Sequence, residues 1–260
     1  MNETTLYVYA VVPADTPAPS VTGIDGRPLH AVAASSGLAA IVHTHQSGPY
    51  EGPDDDVKRW VLEHSDVVED SWSSADSVLP VSFNVIVRGS EETGATAEEQ
   101  LQHWLTVTAE ELSDKLRQLA GTSELRVEIT LDQHEFPRNE ETVRELKQEI
   151  ESRPAGVQRL LQKKLEKLEK QLTDQAADDL YPTYRSRVAA RSLQLQEYTS
   201  TQRPQGAVPV LAAACLVSSD RITDLGAELT SIQEETPEAQ IRFLGPWPPY
   251  SFVELTAPGA

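Results

Sequence analysis

The segment Gly245-Pro246-Trp247-Pro248-Pro249-Tyr250-Ser251-Phe252-Val253 constrains the fold of this chain more than any other stretch. Each proline fixes φ near its extended value and removes a backbone donor, which excludes helix and the middle of a sheet from Gly245 to Pro249. A stiff, extended turn is expected. From Tyr250 the pattern alternates, with Tyr250 and Phe252 on one face and Ser251, Val253 and Leu255 on the other, so a closing strand over 250–255 should follow the prolyl elbow. Two roles for Trp247, Tyr250 and Phe252 stay open. They pin the strand onto a core, or they form a preformed aromatic surface for another protein, since rigid aromatics lose little entropy on binding.

The 260 residues can bury a large core, and two domains are expected, 1–121 and 122–260. In the first, Leu6–Val12 reads as a strand of β-branched and aromatic residues stopped by Pro13. Leu29–Ala34 and Leu38–His43 follow as an antiparallel pair around Ser35-Ser36-Gly37. His43 and His45 then share a strand face; without a third ligand nearby, a solvated strand end is the preferred reading over a metal pair. Asp54-Asp55-Asp56 opens a helix whose apolar face is Val57, Trp60, Val61, His64, Val67, Val68 and Trp72. His64 reads as a partly buried core residue, because adjacent Glu63 points about 100° away around the helix. Val78–Val87 should be an edge strand or bulge at Pro80, with Asn84 its polar exception. A capping box, Thr96 with Glu99, begins one helix carrying Leu101, Trp104, Leu105, Thr108, Leu112, Leu116 and Leu119 and ended by Gly121.

The second domain should open with the half-buried strand Leu125–Leu131 and continue as helix over about 139–200. Asn139 is expected to cap one short helix and Arg153-Pro154 to restart the next, while Tyr181-Pro182 should break it before a last helix over Tyr184–Tyr198. Leu161, Leu165, Leu168 and Leu172 form a narrow seam flanked by Lys and Glu, either a short coiled-coil arm for a partner or a face packed within the fold. Arg185, Arg187 and Arg191 form the one locally basic cluster, a phosphate site unless acids in the fold neutralise it. Val208–Val217 reads as a buried central strand, followed by a helix with Ile222, Leu225, Leu229 and Ile232 inward and a strand over Ile241–Leu244. The fold class expected is α+β: two ferredoxin-like α/β sandwiches, the second with a long helical insertion.

Forty-one acidic residues against 22 basic ones give a formal charge of −19. That surface lacks the basic stripe needed for nucleic acid or anionic lipid, so neither is an expected partner. Acid excess with scarce lysine and aromatics suits a protein kept soluble in concentrated salt. Cys215 is the sole cysteine, reads as a small buried hydrophobe, and allows no internal disulfide. No apolar run approaches the roughly 20 residues that span a bilayer, and the N-terminus has no signal pattern, so a cytoplasmic protein is expected. A phosphate-cradling glycine loop, a metal-spaced Cys/His cluster and a Gly-x-Ser-x-Gly elbow are all missing. Accordingly no catalytic, cofactor or metal residues are assigned.

The C-terminal string resembles the signature of the gas vesicle accessory proteins of the F/L family. Leu6-Tyr7-Val8-Tyr9-Ala10-Val11-Val12-Pro13, the acidic helix with Glu63-His64 and Val67-Val68-Glu69, and Val78-Leu79-Pro80-Val81-Ser82-Phe83 resemble further family landmarks in the same order. Ser65 stands where many relatives carry a second histidine after Glu63-His64, which puts any paired-histidine role in doubt. The resemblance implies a non-enzymatic assembly factor or minor vesicle component, located in the cytoplasm or on the vesicle, whose partners are the apolar shell protein and other accessory proteins. Length and the inserted helices favour the L branch. The protein-binding residues expected are Trp247, Tyr250 and Phe252 in the elbow and Leu161, Leu165 and Leu168 in the seam. The alternatives are a small-molecule-binding regulatory module and a hydrolase using His64.

Overall fold

A computed structural model describes residues 4–46, 48–75, 77–200 and 204–255. Two compact units divide the chain: residues 1–124 with 246–260, and residues 125–245.

The first unit contains β1 (Thr5–Pro13), β2 (Leu29–Ala33), β3 (Leu38–His45), α1 (Asp54–Ser74), β4 (Leu79–Pro80), β5 (Ile86–Val87), α2 (Ala97–Val107) and α3 (Ala109–Leu119). Its sheet has the order β2-β3-β1-β4, with β5 also paired to β1. All of these pairings are antiparallel. β1 is therefore central, which explains why every residue from Thr5 to Val12 is buried. The expected apolar strand over Val78–Val87 is instead two short ladders. Pro80 lacks a donor and Asn84 takes a left-handed φ of 69°, so the chain turns between them. The single helix expected from Leu101 to Leu119 is also two, parted at Thr108, where ψ swings to 9° and the hydroxyl donates to the Trp104 carbonyl at 2.6 Å.

The second unit contains the rest of β6 (Thr122–Asp132), α4 (Glu141–Glu151), α5 (Ala155–Ala189), β7 (Gln194–Glu197), β8 (Ala207–Ser218), α6 (Ile222–Glu235) and most of β9 (Ala239–Trp247), with sheet order β7-β8-β6-β9. Interior β8 is continuously apolar over Val210–Val217, whereas edge β7 has Leu195 as its only apolar residue. The core joins Leu125, Val127, Ile129 and Leu131 of β6 to Cys215 and Val217 of β8 and to Leu225, Leu229 and Ile232 of α6. Tyr181-Pro182 does not break α5. Pro182 faces solvent, where water can satisfy the carbonyl it orphans, and buried Ala177, Tyr184 and Val188 anchor the helix on both sides. The helix stops at Ala189, so the expected helix over Tyr184–Tyr198 ends in β7.

The elbow also differs from expectation. Gly245, Pro246 and Trp247 belong to β9, an edge strand in which Pro246 needs no ladder donor and Gly245 supplies a φ of 113°. Tyr250–Phe252 is a single 3-10 turn rather than a strand, because Pro249 leaves extended geometry at ψ 58°.

His43 and His45 are not a solvated strand end: both are buried on β3. His64 Nε2 lies 3.0 Å from the Val81 carbonyl, which only accepts, so Nε2 carries the proton and Nδ1 is free to accept. Tyr7, whose oxygen receives the Asn84 N–H at 3.0 Å, donates to that Nδ1 at 3.0 Å. Tyr9 repeats the arrangement, receiving the Ile24 N–H at 2.8 Å and meeting His43 Nδ1 at 2.8 Å. Gly23 fits beneath it because a Cβ there would stand 2.5 Å from the Tyr9 oxygen. Desolvation lowers the His43 and His64 pKa values to about 4 and raises those of both tyrosines. Both histidines are thus neutral when folded and take protons more readily when unfolded. Stability is full above their unfolded pKa near 6.5 and falls as pH drops from there toward 4, by about 1.4 kcal/mol per pH unit for each histidine. Urea midpoints measured from pH 7.5 to 4.5 should decline in this window for the native protein and decline less for a His43→Gln/His64→Gln variant.

Candidate interaction surfaces

Pro248 and Pro249 are buried, while Trp247, Tyr250 and Phe252 are half-buried. Tyr250 packs against the first unit's core. Burial, the largest cause, raises its pKa. Buried Glu124 at the start of β6 holds the turn: its two oxygens accept the Ser251 N–H at 2.7 Å and the Ser251 hydroxyl at 2.8 Å. Lys115 of α3 donates to the Glu254 carbonyl. Sequence reasoning missed Glu124, which stands in an otherwise apolar-alternating strand; a buried acid at such a position marks a local ligand. Tyr250 is therefore chiefly an anchor, while Trp247 and Phe252 are half-buried outside that core cluster.

The leucine seam has a partner within the chain. Leu165 is buried with Val143 and Leu146 of α4, and Leu161, Leu168 and Leu172 pack around them. Beside this seam Glu169, 3% exposed, receives His134 Nδ1 and Lys147 Nζ, each at 2.9 Å. Burial of the carboxylate is compensated by both contacts.

The basic cluster is neutralised inside the fold. Arg185 pairs with Glu197, Arg187 with Glu228 and Glu235, and Arg191 with Glu228. These pairs hold the Glu228 and Glu197 carboxyls below the usual range. Arg185 thus ties α5 to β7, Arg187 ties it to α6, and Arg191, in the turn after α5, adds a second contact to α6. Glu63 faces Arg59 and the Asp25 N–H, while His64 is buried in its own network.

A cavity of about 770 Å³, open to solvent, lies between β5 and α2, with Pro49, Ile86, Val87, Trp104 and Val107 among its apolar lining and Arg88 and His103 among its polar residues. Large apolar side chains are also exposed at Leu62, Val107, Leu160 and Leu193. Among the described residues no three His, Cys, Asp or Glu side chains are placed to hold a metal ion. No described helix is long and apolar enough to cross a membrane.

Residues 5–254 match the family model described as gas vesicle synthesis protein GvpL/GvpF. Gas vesicle protein L1 of Halobacterium salinarum is 30% identical over 264 residues, covering 95% of this chain and 89% of its own length. Gas vesicle protein L of Haloferax mediterranei is 28% identical, covering 90% and 73% respectively. The crystal structure of the gas vesicle protein GvpF from Anabaena sp. PCC7120 superposes with a TM-score of 0.69 at 17% identity over 98% of both chains. That of GvpF from Microcystis aeruginosa gives 0.64 at 16% identity over 96% of this chain and 99% of its own. The match along nearly all of its length establishes that this chain belongs to the GvpL/GvpF family of gas vesicle proteins.

Proposed function

We propose that this protein is a non-enzymatic gas vesicle assembly factor that binds the apolar shell protein and other accessory proteins, keeping the shell protein soluble and promoting its polymerisation in the cytoplasm. The observation that carries the reading is an acidic surface, with a formal charge of −19, interrupted by a few apolar exposures. Charge of one sign holds a complex in solution, while small apolar patches give a hydrophobic partner somewhere to bind. Among the assigned residues, Trp247 and Phe252 serve as contacts on a rigid turn, and Tyr250 sets their position from the core. Leu161, Leu165 and Leu168 serve by holding α4 on α5, so that a partner meets the outside of the helical pair.

Binding is tested by pull-down of the tagged protein at high salt with the vesicle proteins co-expressed. The native chain should capture the shell protein, and a Trp247→Ala/Phe252→Ala variant with an unchanged melting temperature should lose at least tenfold of it. Retention of full capture by the folded variant would remove the elbow from the interface.

The Glu124 clamp gives a separate expectation. Glu124→Gln should loosen the turn by about 2 kcal/mol, the scale of a hydrogen bond to a charged group. Amide exchange over Trp247–Val253 should accelerate accordingly, with exchange in β8 unchanged.

A further inference from the structure

α1 and α5 each carry an exposed stripe that their own unit leaves uncovered. On α1 the exposed residues recur at helical spacing as Asp55, Lys58, Leu62, Asp66, Glu69 and Ser73. Leu62 is 65% exposed at the middle of that stripe. Asp66 and Glu69 have no ion-pair partner among the described residues, whereas Asp55 is paired with Lys58. On α5 a face about 100° around the helix from the leucine seam presents Val157, Leu160, Lys164, Lys167 and Gln171, with Leu160 71% exposed. Lys164 and Lys167 likewise have no ion-pair partner among the described residues, in a chain where acids outnumber bases 41 to 22.

The two stripes share one spacing. Leucine, acid, acid and serine stand at 62, 66, 69 and 73; leucine, lysine, lysine and glutamine stand at 160, 164, 167 and 171. Two helices laid parallel in register would oppose Leu62 to Leu160, Asp66 to Lys164, Glu69 to Lys167 and Ser73 to Gln171. Positions three and four apart line one helix face, so all four pairs form together. The two ion pairs select register, and the apolar pair supplies burial and selects direction, since an antiparallel arrangement keeps both ion pairs but sets Leu62 against Gln171 and Leu160 against Ser73. In concentrated salt long-range repulsion between like-charged chains is screened and exposed ion pairs weaken with it, so burial of the leucine pair carries more of the contact.

We infer that copies of this chain associate head to tail, the acidic α1 stripe of one copy docking on the basic α5 stripe of the next. Such a contact is heterologous: each copy offers one donor face and one acceptor face, so growth continues until a ring closes or an end is capped. The occupant of the α5 stripe is a second copy of the protein, independent of whether the shell protein binds at the elbow.

Heterologous pairing has a signature that other modes lack. In sedimentation velocity at increasing concentration the native chain should gain mass beyond the dimer. Leu62→Asp and Leu160→Asp, both at exposed positions and checked for an unchanged melting temperature, should each be monomeric, with association weakened at least tenfold. Their equimolar mixture should form a dimer and nothing larger, because the first retains an intact α5 stripe and the second an intact α1 stripe. A native chain that stays monomeric at all concentrations, variants that associate normally, or a mixture that stays monomeric would each overturn the inference. An acidic protein other than this chain captured by α5, with no self-association, would overturn it as well.

Discussion

Hydrogen bonding between two tyrosines of β1 and two histidines on β3 and α1 is the interaction on which the first unit depends. β1 is the central strand, so Tyr7 and Tyr9 carry their hydroxyls into a volume that water does not reach. Each hydroxyl needs partners, since an unsatisfied buried donor or acceptor costs about 1–3 kcal/mol. The histidines, Asn84 and Ile24 meet that requirement, and in doing so fix where α1, the Val81–Asn84 turn and the Ile24 turn must lie. Ring contacts extend the arrangement: Tyr7 stacks on His43 at 5.1 Å between centroids, and Tyr50 fills the space toward Trp60 at 5.1 Å. An apolar core of the same size would tolerate more shifts of register.

Much of this architecture was legible in the sequence. Strands with period-two or continuous apolar patterns, β1, β6 and β8, stand where they were read, as do the capping box before α2 and the central placing of Cys215. The misses share a cause, which is tertiary context overriding local preference. Pro182 lies in a helix because the turns around it are anchored, and Pro246 lies in a strand because the strand is an edge. β7, with one apolar residue in four, had no periodic signal at all. The histidines misled for another reason: polar residues at a strand end look solvated until their partners are found, Tyr9 for His43 and the Gly48 carbonyl for His45.

Of the assigned interaction residues, those in the leucine seam are occupied by α4, and Tyr250 is partly taken up by the core. That outcome redirects attention to the outsides of helices. A seam signals pairing without telling whether the partner lies within the chain, and here the inner face was the more apolar one. The outer faces of α1 and α5 carry a single leucine each among charges, a pattern that composition and hydropathy both read as ordinary solvated surface.

The acid excess sets the conditions under which all of this operates. Repulsion spread over the surface opposes association at low ionic strength, and screening removes that opposition. The buried network is insulated from salt by its neutrality, so the fold of the first unit and the contacts of its surface respond to different variables. Nitrogen-detected NMR of the histidine rings in the full chain reads the protonation of this network. At pH 7 His43 and His64 should both be neutral, His64 with the proton on Nε2, and neither should titrate until the pH nears 4. Protonation near pH 6.5, or the opposite tautomer at His64, would contradict the account.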